Sequence, residues 1–383
     1  MPDTKERFME TRAAVLERAG DEFVLQDVMV EEPRADEVVV RIEGVGLCHS
    51  DIVFAEGHRP YPMPAVLGHE GAGIVVSIGS EVTDFAPGDA VILGFSSCEA
   101  CPRCDEGLPG YCADFAPLNF IGSRRDGTTA YRRGDTKVAS HFFGQSSFAR
   151  HAVTRAGNLV KVPETSLDLS LLGPLGCGIQ TGAGAVMRAL ACAAGSSLVV
   201  VGGGSVGLSA LMAGSVQGCA KIVLVEPMAE RRALAMELGA SATIDPLAGP
   251  LTEQILALLP GGADYIVDTT GRPDVATGAL DSLAVHGTLA LLGVPHDAAA
   301  TIPLPLSRTM LRGHRVIGVV EGDSDQKTFI PELIALREAG RFPFDRLIRT
   351  FPLSQINEAI AAQARGECIK VVLLPDADCA EES

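Results

Sequence analysis

The stretch SLVVVGGGSVGLSALMAG, Ser197 to Gly214, constrains the fold more than any other part of the chain. A β-branched run enters three consecutive glycines, and a helix-forming run leaves them. Gly202, Gly204 and Gly207 stand in the spacing G-x-G-x-x-G. In a strand–turn–helix unit the first glycine permits the tight turn. The second lets the backbone approach a pyrophosphate, and the third lets helix and strand pack closely. The helix N-terminus then faces the phosphate charge. The next β-like run, KIVLVE, ends on Glu226. A carboxylate there accepts hydrogen bonds from the adenosine ribose hydroxyls and repels a 2′-phosphate. Pro227, not an arginine, follows the acid, so these residues predict an NAD site.

The neighbouring pattern agrees. From about Gly173, short apolar runs alternate with Ala- and Leu-rich stretches. After KIVLVE come the helix MAERRALAMELGA, closed by Gly239, and then SATIDP, ADYIVDTTG, GTLALLGVP and RVIGVV. Six strands with intervening helices predict a doubly wound parallel sheet of the α/β class. The first third reads differently. AAVLER, FVLQDV, EVVVRIEGVG, GAGIVVSIG and DAVILGF are strand-like, and irregular loops between them carry Cys and His. After about residue 320, FIPELIALREAG predicts a helix ending at Gly340, and CIKVVLLP a last strand that returns to the first domain. The expected domains are 1–178, 179–318 and a return segment 319–383, with a helix near 170–190 crossing between the first two. Residues 1 to about 10 read as a frayed tail.

Composition narrows the function classes. The net charge of −17 argues against nucleic acid or an anionic membrane as partner. No apolar run reaches the length of a membrane span, and the charged N-terminus lacks a secretory h-region. A reducing cytoplasm is the expectation, and ten cysteines there point to metal or catalysis rather than disulfides.

Four of them, Cys98, Cys101, Cys104 and Cys112, follow C-x2-C-x2-C-x7-C. The short steps let thiolates converge, and Gly107, Pro109 and Gly110 let the chain turn back so that Cys112 closes a tetrahedron. Four sulfurs with no open position describe a structural zinc site. An iron–sulfur cluster or a redox switch would use the same residues. A second set is dispersed: Cys48, His49, Ser50 and Asp51 in GVGLCHSD, His69 and Glu70 in LGHEGAG, and Cys177 in LGPLGCG. Taken singly, each reads as an ordinary core or structural residue.

CHSD, GHEGAG, the four-cysteine lobe, GCGIQTG and VVVGGGSVG occur in the order found in zinc-dependent medium-chain alcohol dehydrogenases. The chain resembles that family from about Arg12 to Leu374. The segment HFFGQSSFA, His141 to Ala149, resembles the branch acting on aryl, benzyl and allylic alcohols. The resemblance implies a GroES-like β-rich catalytic domain with an inserted Rossmann domain, and a cleft holding NAD and substrate. It implies two zinc ions per chain. Cys48, His69 and Cys177 would bind a catalytic zinc with one open position, and the four clustered cysteines a structural one. Asp51 would orient His69, and Glu70 would assist ligand exchange. The ion would acidify the alcohol, and a hydride would pass to the nicotinamide.

Ser50 would carry the hydroxyl proton outward. Much of the family ends this relay in a histidine three positions on, but here Val53 stands there, so His49 or water is expected to take over. His49 would also lie near the pyrophosphate. Thr181 and Val206 would contact the nicotinamide. Thr270, Leu292 and Val294 would line its pocket, and Lys370 would meet a phosphate. Phe95, Phe142 and Phe143 would wall the substrate pocket, which suits a flat apolar alcohol such as benzyl, cinnamyl or geraniol-like molecules. Arg124, Arg125, Arg132 and Arg133, in a polar stretch with a hairpin turn, read as a solvated loop rather than an anion site. A glutathione-dependent formaldehyde dehydrogenase, a non-catalytic NAD- or zinc-responsive regulator and a zinc-free quinone reductase are the rival readings. A homodimer or homotetramer is expected, with RVIGVV as a candidate pairing edge. Cys192, Cys219, Cys368 and Cys379 have no expected role.

Overall fold

The computed structural model describes residues 8–375 and divides into two compact units. The first comprises the chain up to Cys177, Asp325–Glu338 and the chain from Asp345 onward. The second comprises Gly178–Ser324 and Ala339–Phe344. The short excursion 339–344 departs from the expected single return segment. Its cause is apolar: Phe342 and Phe344 are fully buried with ring centroids 6.3 Å apart. The Arg341 guanidinium also donates to the Val216 carbonyl at 3.0 Å.

The first unit is a β-structure of two sheets. One runs, edge to edge, Ala65–Val66, Phe8–Leu16, Val24–Glu31, Tyr131–Arg133 and Thr136–Val138. Residues 8–10, expected in a frayed tail, begin its second strand, while residues 1–7 and Cys379 lie outside the described residues. The other sheet is organised around Glu37–Leu47, whose run VVV has no exposed member. That strand pairs with Gly71–Ile78, His151–Arg155 and Lys370–Leu374. The last pairing is the expected return of the chain end to the first domain.

This unit is not purely β with loops. CHSD opens a helix, His49–Ala55, and two short helices, Pro102–Asp105 and Phe115–Asn119, follow. The hairpin Tyr131–Val138 forms as expected, and Arg125 before it is solvated as expected, but Arg124 is not. The Arg124 side chain is 8% exposed and donates to Glu37 at 2.5 and 2.8 Å and to Glu31 at 2.6 Å. Arg133 pairs with Glu17, and Arg125 with Asp114 at 2.6 Å. Burial opposes ionisation of Glu37, but hydrogen bonds from His141 and Arg124 outweigh it and draw its carboxyl from 4.5 down to about 2.

The second unit holds a six-stranded parallel sheet: Ser197–Val201, Lys221–Val225, Ala242–Ile244, Ala263–Asp268, Leu283–Leu291 and Arg315–Gly318. In chain order their spatial arrangement is third, second, first, fourth, fifth, sixth. This is the dinucleotide-binding order, in which ligands lie beyond the carboxyl ends of the strands. Leu198 to Val201 are buried without a polar interruption, as a strand covered on both faces requires. The helix Ser205–Gln217 closes at Gly218 with φ 78°, and the helix Ala229–Glu237 is followed by Gly239 with φ 111°. Both are left-handed stops that glycine adopts without strain.

Candidate active site

Strand register assembles the dispersed ligand set. Val45 stands opposite Gly71, and Leu47 opposite Val371. Residues just beyond those positions, Cys48, His69, Glu70 and Lys370, are therefore delivered to one end of the sheet. The chain then brings in Cys177 through the turn Gly173–Gly176. Gly173 passes so close to Glu70 that a Cβ there would lie 2.0 Å from the Glu70 carbonyl oxygen. Donor atoms of Cys48, His69, Glu70 and Cys177 lie within 4.8 Å of one another.

Asp51 locks this arrangement. One carboxylate oxygen accepts from the Cys48 N–H at 2.9 Å. The other accepts from the Gly68 N–H at 3.1 Å and faces His69 Nδ1 at 2.9 Å. Asp51 thus ties the backbone of Cys48 to that of the residue before His69 and fixes the imidazole's orientation. His69 Nε2 is left buried with no hydrogen-bond partner. A buried polar nitrogen in that state is costly unless something else fills its lone pair. Burial works against a charged His69, but Asp51 and the Cys48 sulfur outweigh it and raise its pKa. Gln145 braces the same corner: it accepts from the Gly71 N–H and donates to the carbonyls of His69, Leu93 and Gly94.

The Cys48 and Cys177 sulfurs stand 4.0 Å apart. Two zinc–sulfur bonds of about 2.3 Å at a tetrahedral angle separate their sulfurs by about 3.8 Å. The donor set, its spacing and the orphaned nitrogen therefore fit a zinc ion. Glu70, fully buried, stands 2.5 Å from the Lys370 ammonium, which also donates to the Leu47 carbonyl at 3.1 Å. Burial pushes the Glu70 carboxyl up to about 7 against the pull of Lys370. Lys370 is 1% exposed and held by these two partners, so it is not a solvated surface cation.

Cys98, Cys101, Cys104 and Cys112 also converge, all four sulfurs within 4.8 Å of one another. Cys98 and Cys104 stand 4.0 Å apart, and Cys101 and Cys104 3.6 Å. The Cys112 sulfur further accepts from the backbone N–H groups of Cys98 and Asp114. Four sulfurs with no carboxylate and no gap fit a closed structural site.

An aromatic wall stands against His69. The Phe143 ring stacks on the imidazole, centroids 4.2 Å apart at 17°, and Phe142 meets it edge-on at 5.4 Å. Phe54, Tyr61, Phe115 and Phe120 extend the wall, and Phe95 joins it through Phe115 at 5.7 Å. The chain has 14 Phe, 4 Tyr and no Trp, so these seven rings are a concentration, not a sampling of the average core. The segment achieves this with left-handed backbone at His141, Phe143 and Ser146, φ 63°, 49° and 59°. Non-glycine residues are held there only when the surroundings enforce it. Sequence reading picked Phe95, Phe142 and Phe143 but missed Phe54, Tyr61, Phe115, Phe120 and Gln145. The scarcity of aromatics was the available signal.

Of the relay candidates, His49 is exposed, Ser50 half-buried and Val53 buried. In the second unit the strand ends carry the expected cofactor residues. Gly202 has φ 101°, and a Cβ at Gly207 would lie 1.8 Å from the Gly202 carbonyl oxygen. A Cβ at Gly204 would meet no protein atom within 4 Å, leaving a bare cradle at the start of a 13-residue helix. That geometry fits a pyrophosphate. Val206 lies in the first turn of that helix, and the Thr181 hydroxyl faces Glu321 at 3.4 Å. Thr270 donates twice to Asp268, while Leu292 and Val294 follow the fifth strand, Val294 exposed. Of the thiols without an expected role, Cys192 is buried, the Cys219 sulfur lies 3.6 Å from the Ser196 hydroxyl, and Cys368 belongs to the first unit's core.

Comparison with known proteins decides the family. Residues 34–164 match the alcohol dehydrogenase GroES-like domain, and residues 205–337 match the zinc-binding dehydrogenase family. The chain is 46% identical to a geraniol dehydrogenase of Castellaniella defragrans, over 98% of this chain and all of that one. It belongs to the zinc-dependent medium-chain alcohol dehydrogenases. Two solved structures agree. A zinc-binding alcohol dehydrogenase domain protein of Burkholderia ambifaria superposes with TM-score 0.94 at 43% identity, covering 96% of this chain and 100% of that one. The benzyl alcohol dehydrogenase of Acinetobacter calcoaceticus gives 0.92 at 39%, covering 96% and 99%. The alcohol dehydrogenase therefore acts on small-molecule alcohols and aldehydes with zinc and a nicotinamide cofactor. Among the described residues, no helix is long and apolar enough to cross a membrane.

Proposed function

We propose that this enzyme interconverts primary allylic or aryl alcohols and their aldehydes, with NAD as hydride acceptor and two zinc ions per chain. The observation that carries the substrate class is the stacked Phe143 on His69, backed by six further rings. A flat π-system gains contact area and ring–ring attraction against such a wall, whereas a charged glutathione adduct would lose hydration there without ion partners. The names of the geraniol and benzyl alcohol relatives point the same way.

Cys48, His69 and Cys177 would hold the catalytic ion, which supplies Lewis acidity toward the alcohol oxygen when bound. The chain does the rest. Asp51 keeps the imidazole in one orientation. The rings exclude water. Ser50, followed by His49 or water, carries the hydroxyl proton outward, since Val53 has no proton to move. Glu70, paired with Lys370, stands beside the three ligands as a further donor for ligand exchange. Gly202, Gly204 and Gly207 hold the pyrophosphate, Glu226 the ribose, and Thr181, Val206, Thr270, Leu292 and Val294 the nicotinamide. Cys98, Cys101, Cys104 and Cys112 would hold the structural ion.

The six ligand thiolates require a reducing compartment, in keeping with the cytoplasm. A homodimer or homotetramer is supported by the sheet-edge strand Arg315–Gly318, next to the exposed apolar residues Leu306, Met310, Leu311 and Val316. Steady-state assays with geraniol, cinnamyl alcohol, benzyl alcohol, ethanol and S-hydroxymethylglutathione test the reading. The highest kcat/KM belongs to one of the first three. A preference for the glutathione adduct, or no turnover of any alcohol by zinc-replete enzyme, overturns it.

A further inference from the structure

The Glu226 carboxylate is not a free acid at a strand end. It is 4% exposed, and its two oxygens accept from the backbone N–H groups of Gly203 at 2.7 Å and Met228 at 3.0 Å. Gly203, an unassigned position inside the glycine motif, makes this possible: a Cβ there would lie 2.8 Å from the carboxylate oxygen. The turn after Glu226 is held from its other side by Arg232. One guanidinium nitrogen donates to the carbonyls of Glu226 at 2.8 Å and Pro227 at 2.7 Å. Another faces Asp245 Oδ2 at 3.3 Å. The second oxygen of Asp245 accepts from the Leu247 N–H at 2.9 Å, so the carboxylate is itself fixed.

An arginine near the ribose-binding acid is the group that accommodates a 2′-phosphate in NADP-binding members of this fold class. Here that arginine is occupied. We propose that Arg232 and Asp245 are specificity-determining residues: Asp245 neutralises Arg232 and holds it on the turn, which denies a 2′-phosphate its cation and keeps the cofactor choice on NAD. This rests on the cofactor reading above and extends it from Glu226 to a clamp of three side chains.

Asp245→Asn tests it. Asparagine retains the oxygen that accepts from Leu247 and removes the charge facing Arg232. Fluorescence titrations of NADH and NADPH on zinc-replete enzyme read the result without turnover. The expected outcome is about tenfold tighter NADPH binding, the size of one charge-assisted hydrogen bond, with NADH affinity within about twofold. In Asp245→Asn/Arg232→Ala the gain disappears. Unchanged NADPH affinity in the single variant, or a gain that persists in the double variant, overturns the clamp. Wild-type enzyme that binds neither nucleotide overturns the cofactor reading itself.

Discussion

The two metal-ligand clusters of this dehydrogenase are built by opposite means. The four-cysteine lobe draws its donors from fifteen consecutive residues, and three of the four thiols are only half-buried. The set of Cys48, His69, Glu70 and Cys177 draws on positions up to 129 residues apart, placed by strand register, with all but Cys48 buried. The local cluster offers four sulfurs and nothing else, so it can only hold. The dispersed cluster mixes sulfur, nitrogen and a carboxylate, has its imidazole aimed by Asp51, and faces an aromatic wall. A site built from sequence neighbours makes a loop rigid. A site built from distant residues inherits the surroundings of the sheet end, and those surroundings make chemistry possible.

The largest expected effect falls on the dispersed set. His69→Ala lowers alcohol turnover by roughly 10³-fold or more, as loss of a Lewis acid does. Metal analysis should then find zinc retained at the four-cysteine lobe. Loss of all zinc would break the claim that the two clusters are independent. Conversely, Cys104→Ser costs on the order of 4 kcal/mol of stability, typical of losing a structural metal. Thermal unfolding reads this, and the turnover of the remaining folded enzyme at low temperature stays within a few-fold of wild type.

Glu37→Gln sharpens the contrast by showing what an ion-paired acid without a metal contributes. Breaking its buried pairing with Arg124 costs about 3 kcal/mol at neutral pH. The carboxyl titrates about 2 folded and near 4.5 unfolded. Its stabilisation is therefore full above 4.5 and lost as pH falls toward 2. Denaturant unfolding of wild type and variant should converge over that window, and a constant gap would show that charge is not the cause. Asp51→Asn should weaken zinc binding at the dispersed site about 10–100-fold, measured by competition with a chelator. The smallest effect is Phe143→Ala. Losing one ring contact of about 1 kcal/mol lowers kcat/KM for benzyl alcohol roughly fivefold relative to ethanol.

The parallel sheet of the second unit was legible because its strands carry their own apolar runs between helical stretches, signals that lie within a few residues. The four-cysteine lobe was legible for the same reason. The helix at CHSD was not, since seven residues are too few for periodicity to speak. Nor was the burial of Arg124, whose partners Glu31 and Glu37 belong to strands some 90 residues earlier. Lys370 is expected from the sequence to meet a phosphate. Only the pairing of Leu47 with Val371 sets it against Glu70 in a dry interior.

By itself, then, the sequence determined the strand and helix runs, the glycine turn, the acid at the second strand's end and which residue types could bind metal. The tertiary structure decided which of those residues meet. It brought His69 together with two sulfurs, linked seven rings into a cluster that meets it through Phe142 and Phe143, and paired Asp245 with Arg232. Composition and spacing act over a few residues, whereas contact across a sheet depends on register and on closing long loops, which no local pattern encodes.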